Sequence, residues 1–234
     1  LGRYNAAAIA ATYGSVSAVT FITASQFLDI QSITYGGHMA AAMVLMESPA
    51  IIIAIYFGNR ASMYDKAKEK KTPTRVLVKD SLKDGAQLLL IGAMVIGFLS
   101  GNNGERMMAP FSIDLFKGML AFFLLDMGLQ VAKNIKVLIK KSIVPILYGV
   151  FSPPIHALIA LLIAKFFNIQ LGDTILLMVL AASASYIAVP AALKFSIPKA
   201  NPSLYFGISL GITFPINILI GIPFYTWLAK FFVS

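Results

Sequence analysis

Long apolar stretches dominate this sequence and limit what the chain can fold into. About seven of them have the length, roughly 17 to 25 residues, that crosses about 30 Å of hydrocarbon as a helix. Only 12% of the 234 residues are charged, about half the share found in soluble domains. The sequence therefore predicts an all-α integral membrane protein. The predicted spans are 5–28, 37–58, 82–100, 112–132, 142–167, 173–194 and 203–231.

The basic residues between the spans predict the orientation. When the spans alternate through the membrane, Arg3 and the segments 59–83, 133–141 and 194–199 lie on one side and hold 15 of the 19 Lys and Arg residues. Cytoplasmic loops carry this excess, so we expect that side to be cytoplasmic and the C-terminus to lie outside, in a bacterial plasma (inner) membrane. The net charge of +9 then reflects topology, and no nucleic-acid partner is expected.

Two of the spans are interrupted by small and polar residues. The segment from Ala10 to Ser17, which ends in Gly14-Ser15-Val16-Ser17, interrupts the first span, and the segment from Ser183 to Pro190 interrupts the sixth. A helix broken within lipid persists only where protein or a water-filled cavity surrounds the freed backbone groups. Freed N–H groups bind anions, and freed carbonyls suit Na⁺ or H⁺. We interpret the breaks as two halves of one polar chamber; the alternative is that Ser and Gly serve helix packing.

The surroundings of the two breaks resemble each other. Ile9-Ala10-Ala11-Thr12 precedes one and Leu180-Ala181-Ala182-Ser183 leads into the other, and a Pro-bearing span follows each, at Pro49 and Pro215. The threading runs the two copies in opposite directions. Inverted repeats with discontinuous helices are typical of secondary transporters. Three spans precede the second copy, so about three helices are expected to be missing before Leu1 from a 5+5 arrangement of ten.

This repeat divides the chain into three predicted parts. Residues 1–58 are the end of the first inverted repeat, 59–81 a cytoplasmic basic loop, and 82–234 the second repeat.

Polar residues in and beside the breaks are the candidate binding residues. Glu47 lies inside a span, where a charge costs at least about 2.5–3.5 kcal/mol and marks function by default; the alternative is a protonated or locally paired structural Glu. Asp126 invites the same argument. The candidate substrate-binding residues are Gly14, Ser15, Ser17, Ser183 and Ser185. The candidates for cation binding or for support of the helix breaks are Thr20, Glu47, Tyr186, Thr213 and Asn217.

Other site chemistries find little support in the sequence. There is no Cys, and the two His residues, His38 and His156, lack clustered partners for a metal site. Gly14-Ser15-Val16-Ser17 lacks the final Gly of a nucleophile elbow, and no base stands beside it. We expect no enzymatic activity, no cofactor, and no metal beyond Na⁺.

These residues also resemble a known family. The segments that carry the resemblance are Gly14–Ser17, Met46–Ala50, Ala181–Ser185, Asp126–Leu129 and Ile197–Ser203. On them the chain is identified as a member of the sodium-dependent bicarbonate transporter superfamily, over about residues 6–224.

The resemblance implies the remaining expectations. It implies ten helices divided into a core domain and a gate domain, assembly as a homotrimer in lipid, and symport of bicarbonate with Na⁺ between the broken helices. It also implies a cytoplasmic PII-like regulator on the face of the basic loop. Three positions differ from the cyanobacterial members of the family. Tyr186 stands where they have an acidic residue, Val189 where they have Gly, and Glu47 where they have Asp. The acidic residue is expected at the Na⁺ site, so the resemblance does not imply that Tyr186 is a Na⁺ ligand.

Two further functions stay open at this point. The chain is alternatively a transporter of another small anion coupled to H⁺. It is alternatively a membrane receptor or scaffold that keeps the transporter fold and binds a cytoplasmic partner, with Tyr186 and Val189 filling the cavity.

Overall fold

The fold is helical, as the sequence predicts. A computed structural model of the chain describes residues 2–47, 85–116, 118–123, 125–126, 129, 143–187, 189–190, 193 and 197–233, and none of these residues forms a strand. The basic loop 59–81 and the second half of the span 37–58 lie outside them, so the domain boundaries stay predictions. The principal helices are α1 (Arg3–Tyr13), α2 (Ala18–Ile30), α3 (His38–Glu47), α4 (Gly85–Ala109), α5 (Ile143–Phe166), α6 (Leu171–Ala182) and α7 (Pro202–Val233).

Three helical stretches among the described residues are long and apolar enough to cross a membrane. They are Arg3–Ile30, which contains the first break, and the helices α5 and α7. Helices α3 and α6 are apolar but shorter. The three stretches match the first, fifth and seventh predicted spans, and the two shorter helices match the described parts of the second and sixth.

The third predicted span ends where the structure has a kink. The range α4 consists of two helices that meet at Gly101, and the second continues as the π-helical turn Pro110–Leu115. Only Gly101 leaves the helical conformation, with φ 52° and ψ −148°, a backbone region that glycine enters without steric cost. The polar residues after Gly101 are helical and mostly exposed, so the chain resumes a helix after the kink where the spans predict a loop.

Helix α6 lies at the centre of the described core. It packs against α5, α2 and the C-terminal half of α7. Along α5 the small residues Ala157, Ala160 and Ala164 are buried in this core, and small side chains let membrane helices approach closely. On the other side of the breaks, α1 packs against the first turns of α7. Large apolar side chains on α4 and on the outer face of α5 stay exposed, as expected for a chain whose solvent is lipid.

A carboxylate joins the turn between α2 and α3 to the start of α6, at the face that the threading predicts to be external. Asp173, in the first turn of α6, is buried and accepts hydrogen bonds from the Gly36 backbone N–H at 2.6 Å and from Gln170 Nε2 at 2.8 Å. His38 Nε2 lies 3.2 Å from the same carboxylate, but the His38 side chain is 68% exposed. The turn between α2 and α3 is thereby fastened to the start of α6.

Replacing Asp173 by Ala should lower the free energy of unfolding by about 2 kcal/mol, because the Gly36 N–H loses a charged acceptor. Replacing His38 by Ala should cost less than about 0.5 kcal/mol, since exposed ion pairs contribute little. Thermal unfolding of both variants in the same detergent measures the difference. Equal losses of stability in the two variants would contradict the fastening role of Asp173.

Candidate functional site

The first break separates α1 from α2 at Gly14–Ser17. Helix α1 ends where the Gly14 N–H donates to the Ala10 carbonyl at 2.8 Å. Ser17 has extended dihedrals, φ −113° and ψ 112°, and is the N-cap of α2. Its Oγ accepts from the Thr20 backbone N–H at 3.2 Å and from Thr20 Oγ1 at 2.9 Å. A serine N-cap satisfies one backbone amide that has no partner at the start of a helix. The serine at position 17 therefore favours the start of α2 at this point of the sequence.

The second break follows α6 at Ser183. Ser183 is extended, with φ −79° and ψ 166°, and its Oγ donates to the Leu180 carbonyl at 2.8 Å. Two residues later, Ser185 Oγ accepts from the Val189 N–H at 3.2 Å. Ser183 therefore closes the end of α6, and Ser185 holds the backbone amide of Val189.

The two breaks bond directly to each other although they lie far apart in the sequence. The Ser17 N–H donates to Ser183 Oγ at 2.9 Å. The Ser185 N–H donates to the Thr12 carbonyl at 2.9 Å. All four residues are buried, and Thr12 is fully buried. The backbone groups that the breaks free are thus partly satisfied by the opposite break, as buried backbone polar groups must be.

Helix α7 supports the second break from the side. It contains two π-helical segments, Ser209–Thr213 and Asn217–Gly221, a geometry frequent at functional sites. Asn217 Nδ2 donates to the Ala182 carbonyl at 2.8 Å, which is the last carbonyl of α6. The Tyr225 hydroxyl donates to Asn217 Oδ1 at 3.2 Å. The Asn217 amide, 1% exposed, is held from both ends.

A second set of hydrogen bonds, among Tyr13, Thr213 and Gly149, connects α1, α7 and α5. Pro153 has no N–H, so the Gly149 carbonyl four residues earlier loses its helical partner. Thr213 Oγ1 donates to that carbonyl at 2.8 Å. Tyr13 Oη lies 2.6 Å from Thr213 Oγ1 and must be the donor, because the single Thr213 proton is already used. Gly149 permits this approach, since a Cβ there would lie 2.5 Å from Ile208 Cγ2.

The two acids that the sequence predicts to lie within spans differ in their surroundings. Glu47 is buried at the end of α3, and Ser15 Oγ donates to its backbone carbonyl at a long 3.4 Å. Asp126 is exposed. Within the described part of the chain no group of three His, Asp or Glu side chains could hold a metal ion, and His156 is half-buried in α5. Glu47 is therefore the acid that lies beside the breaks.

The structure brings most of the predicted residues together. Ser17, Thr20, Ser183 and Ser185 form the contact between the breaks, and Asn217 joins it through Ala182. Four other predicted residues lie around this contact. Gly14 is exposed, and Tyr186 is buried beside Ser17. Ser15 bonds to the last residue of α3, and Thr213 bonds to a carbonyl of α5. Whether any of them binds substrate stays a prediction.

Sequence reasoning missed four residues that hold this arrangement. They are Thr12, Tyr13, Gly149 and Tyr225. A signal existed for one of them, because the Pro153-Pro154 pair frees a carbonyl at Gly149 and so predicts an outside donor. The other three depend on how the helices are rotated about their axes.

Comparison with known proteins agrees with this architecture. No curated protein matches the chain. The model of one protein family, described as the Na⁺-dependent bicarbonate transporter superfamily, matches residues 1–230. That range covers nearly all of the 234 residues and includes both broken helices and the helix α7 that supports them. The chain therefore belongs to the Na⁺-dependent bicarbonate transporter superfamily.

Proposed function

We propose that the protein is a secondary transporter that imports bicarbonate together with Na⁺ and that its substrate site is the contact between the two helix breaks. The observation that carries the proposal is the direct bonding of the breaks, Ser17 N–H to Ser183 Oγ and Ser185 N–H to the Thr12 carbonyl. Discontinuous helices that meet in this way surround the substrate in many secondary transporters.

The chemistry of the breaks suits a small anion. The first amides of α2 have no carbonyl partner within the helix, and the N-terminus of a helix carries partial positive charge. Serine and threonine hydroxyls surround that end, while neither break contains Lys or Arg. Neutral donors of this kind hold a monovalent oxyanion without the strong ion pair that would slow its release.

Oxygen atoms of the kind that bind a cation lie beside the same contact. Glu47 is a buried acid at the end of α3, and the ends of α1 and α6 present backbone carbonyls, which suit Na⁺. Thr213 and Asn217 act as supports in this proposal, because both are committed to carbonyls of neighbouring helices. Transport proceeds by alternating access, with a core domain moving against a gate domain in each subunit of a homotrimer.

Uptake of labelled bicarbonate into proteoliposomes tests the proposal. An inward Na⁺ gradient should drive accumulation above the level seen with equal Na⁺ on both sides. An inward H⁺ gradient without Na⁺ should not. Accumulation driven only by H⁺, or accumulation of another small anion in place of bicarbonate, would reassign the coupling ion or the substrate.

One observation favours a second candidate, a receptor or scaffold that no longer transports. Tyr186 is 3% exposed and Val189 is fully buried, so two large side chains occupy space next to the second break. A negative uptake assay, together with capture of a cytoplasmic PII-like regulator by a peptide of residues 59–83, would favour this candidate. Na⁺-driven bicarbonate uptake would exclude it.

A further inference from the structure

The Tyr186 hydroxyl is buried beside the first break without a described partner. The residue is 3% exposed, and Ser17 is the side chain with which its hydroxyl interacts most closely, outside the geometry of an ordinary hydrogen bond. That hydroxyl nevertheless forms no hydrogen bond of ordinary geometry with any residue that the structure describes. A buried polar group left unpaired costs free energy, so the position of Tyr186 calls for an acceptor.

The Ser17 hydroxyl has a proton to donate at the same place. Both hydrogen bonds that Ser17 Oγ forms with described residues are accepted from Thr20, one from its backbone N–H and one from its hydroxyl. A serine hydroxyl has one proton besides its acceptor positions. The Ser17 and Tyr186 hydroxyls are therefore neighbours at the N-terminus of α2, where the helix dipole favours negative charge, and neither proton has an acceptor of ordinary geometry among the described residues.

The other serines of the breaks hold backbone groups. Ser183 Oγ accepts from the Ser17 N–H and donates to the Leu180 carbonyl, and Ser15 Oγ donates to the Glu47 carbonyl. Ser185 Oγ accepts from the Val189 N–H and, like Ser17 Oγ, donates to no residue that the structure describes. Among these hydroxyls, those of Tyr186 and Ser17 interact with each other across the two breaks.

We propose that Tyr186 is a substrate-binding residue that selects oxyanions, its hydroxyl and that of Ser17 donating to the anion at the N-terminus of α2. The ligand class is a small monovalent oxyanion with acceptor oxygens, such as bicarbonate. The inference rests on the proposed function, because it assigns a residue to the same site. It gives Tyr186 the role of anion donor, where the sequence suggested a cation-binding or supporting residue.

The surroundings of the ring strengthen this donor. The Tyr186 ring lies 4.9 Å from the Phe214 ring, centroid to centroid, and Leu210 completes a buried apolar cluster with partly buried Val19 and Ile218 packed against it. Hydrogen bonds strengthen where such groups exclude water. The same ring forms an apolar wall that limits the size of the anion beside α2.

The variant Tyr186→Phe isolates the hydroxyl, because it keeps the ring and its packing. Thermal unfolding of the purified protein is measured in equal concentrations of sodium bicarbonate, sodium nitrate and sodium chloride, and bicarbonate uptake is measured in proteoliposomes. Tyr148→Phe is the matched control, since it removes a hydroxyl from a ring that is 39% exposed.

Two opposite changes are expected in Tyr186→Phe. The anion-free protein should be as stable as the wild type or more stable, because an unpaired buried hydroxyl is gone. The KM for bicarbonate should rise about tenfold, the loss that corresponds to a hydrogen bond to a charged group, and the preference of oxyanions over chloride should shrink. Tyr148→Phe should behave as the wild type in both measurements.

The outcomes separate this inference from the proposed function. If the wild type neither takes up bicarbonate nor is stabilised by it, the proposed function fails. If the wild type transports and Tyr186→Phe keeps its KM and its anion preference, the inference alone fails. A variant that is less stable without anion and unchanged in KM would show that the Tyr186 hydroxyl is structural.

Discussion

Replacing Thr213 by Val is expected to lower the free energy of unfolding by about 2 kcal/mol. The substitution keeps the shape of the side chain but removes the hydroxyl that donates to the Gly149 carbonyl and accepts from Tyr13. Two buried groups then lose their partner, each at a cost of about 1–3 kcal/mol in proteins generally. The alternative partners that an unfolded chain finds in a membrane reduce that total.

Unfolding in detergent or in bicelles, followed by circular dichroism, measures this loss. Thr213→Ser is the control, because it keeps the hydroxyl and should recover most of the stability. In a double-mutant cycle with Tyr13→Phe, the Tyr13–Thr213 coupling should be about 1 kcal/mol, within the range for hydrogen bonds between membrane helices. Equal stability of Thr213→Val and Thr213→Ser would contradict a stabilising role for the hydrogen bonds of the Thr213 hydroxyl.

Replacing Asn217 by Leu should have an effect of similar size and should also slow transport. The substitution leaves the last carbonyl of α6 without the Asn217 amide and removes the acceptor of the Tyr225 hydroxyl. We expect a loss of about 2–3 kcal/mol in the free energy of unfolding. The break at Ser183 should then lose its fixed position, so bicarbonate uptake should fall at saturating substrate.

Tyr225→Phe provides the graded comparison for Asn217. It removes only the outer hydrogen bond and leaves the bond from Asn217 to the Ala182 carbonyl, so about 1 kcal/mol or less should be lost. Unfolding and uptake are measured on the two variants side by side. A Tyr225→Phe variant that loses as much as Asn217→Leu would mean that the amide does not hold the end of α6 by itself.

The breaks could be predicted from the sequence because their causes are local. Gly14 and the serines at 15 and 17 favour the end of one helix and the N-cap of another, and Ser183 lies where α6 ends. The helix that follows the kink at Gly101 could not be predicted in the same way. Polar residues on an exposed helix and polar residues in a loop have the same composition. The two π-helical segments of α7 likewise follow from packing and have no sequence period of their own.

The residues that lie at the contact between the breaks could be predicted from the sequence, but the hydrogen bonds between them could not. The repeat predicted that the breaks face each other, and Ser17, Ser183 and Asn217 were expected to lie there. Which hydroxyl bonds to which backbone group depends on the rotation of each helix, so the link from Thr12 to Ser185 could not be derived from the sequence. Tyr186 shows the same limit, because its burial beside Ser17, on which its proposed role as an anion donor rests, could not be derived from the sequence.

The measurement that tests the central claim most directly is labelled bicarbonate uptake by Ser17→Ala proteoliposomes under an inward Na⁺ gradient. We expect at least about a tenfold fall in uptake at low bicarbonate, as for a lost hydrogen bond to a charged group. Ser17→Thr should recover uptake, since threonine keeps both the hydroxyl and the N-cap. Ser25→Ala, which removes a hydroxyl bonded within α2 to the Ile22 carbonyl, should leave uptake unchanged. Wild-type uptake in Ser17→Ala would contradict the account.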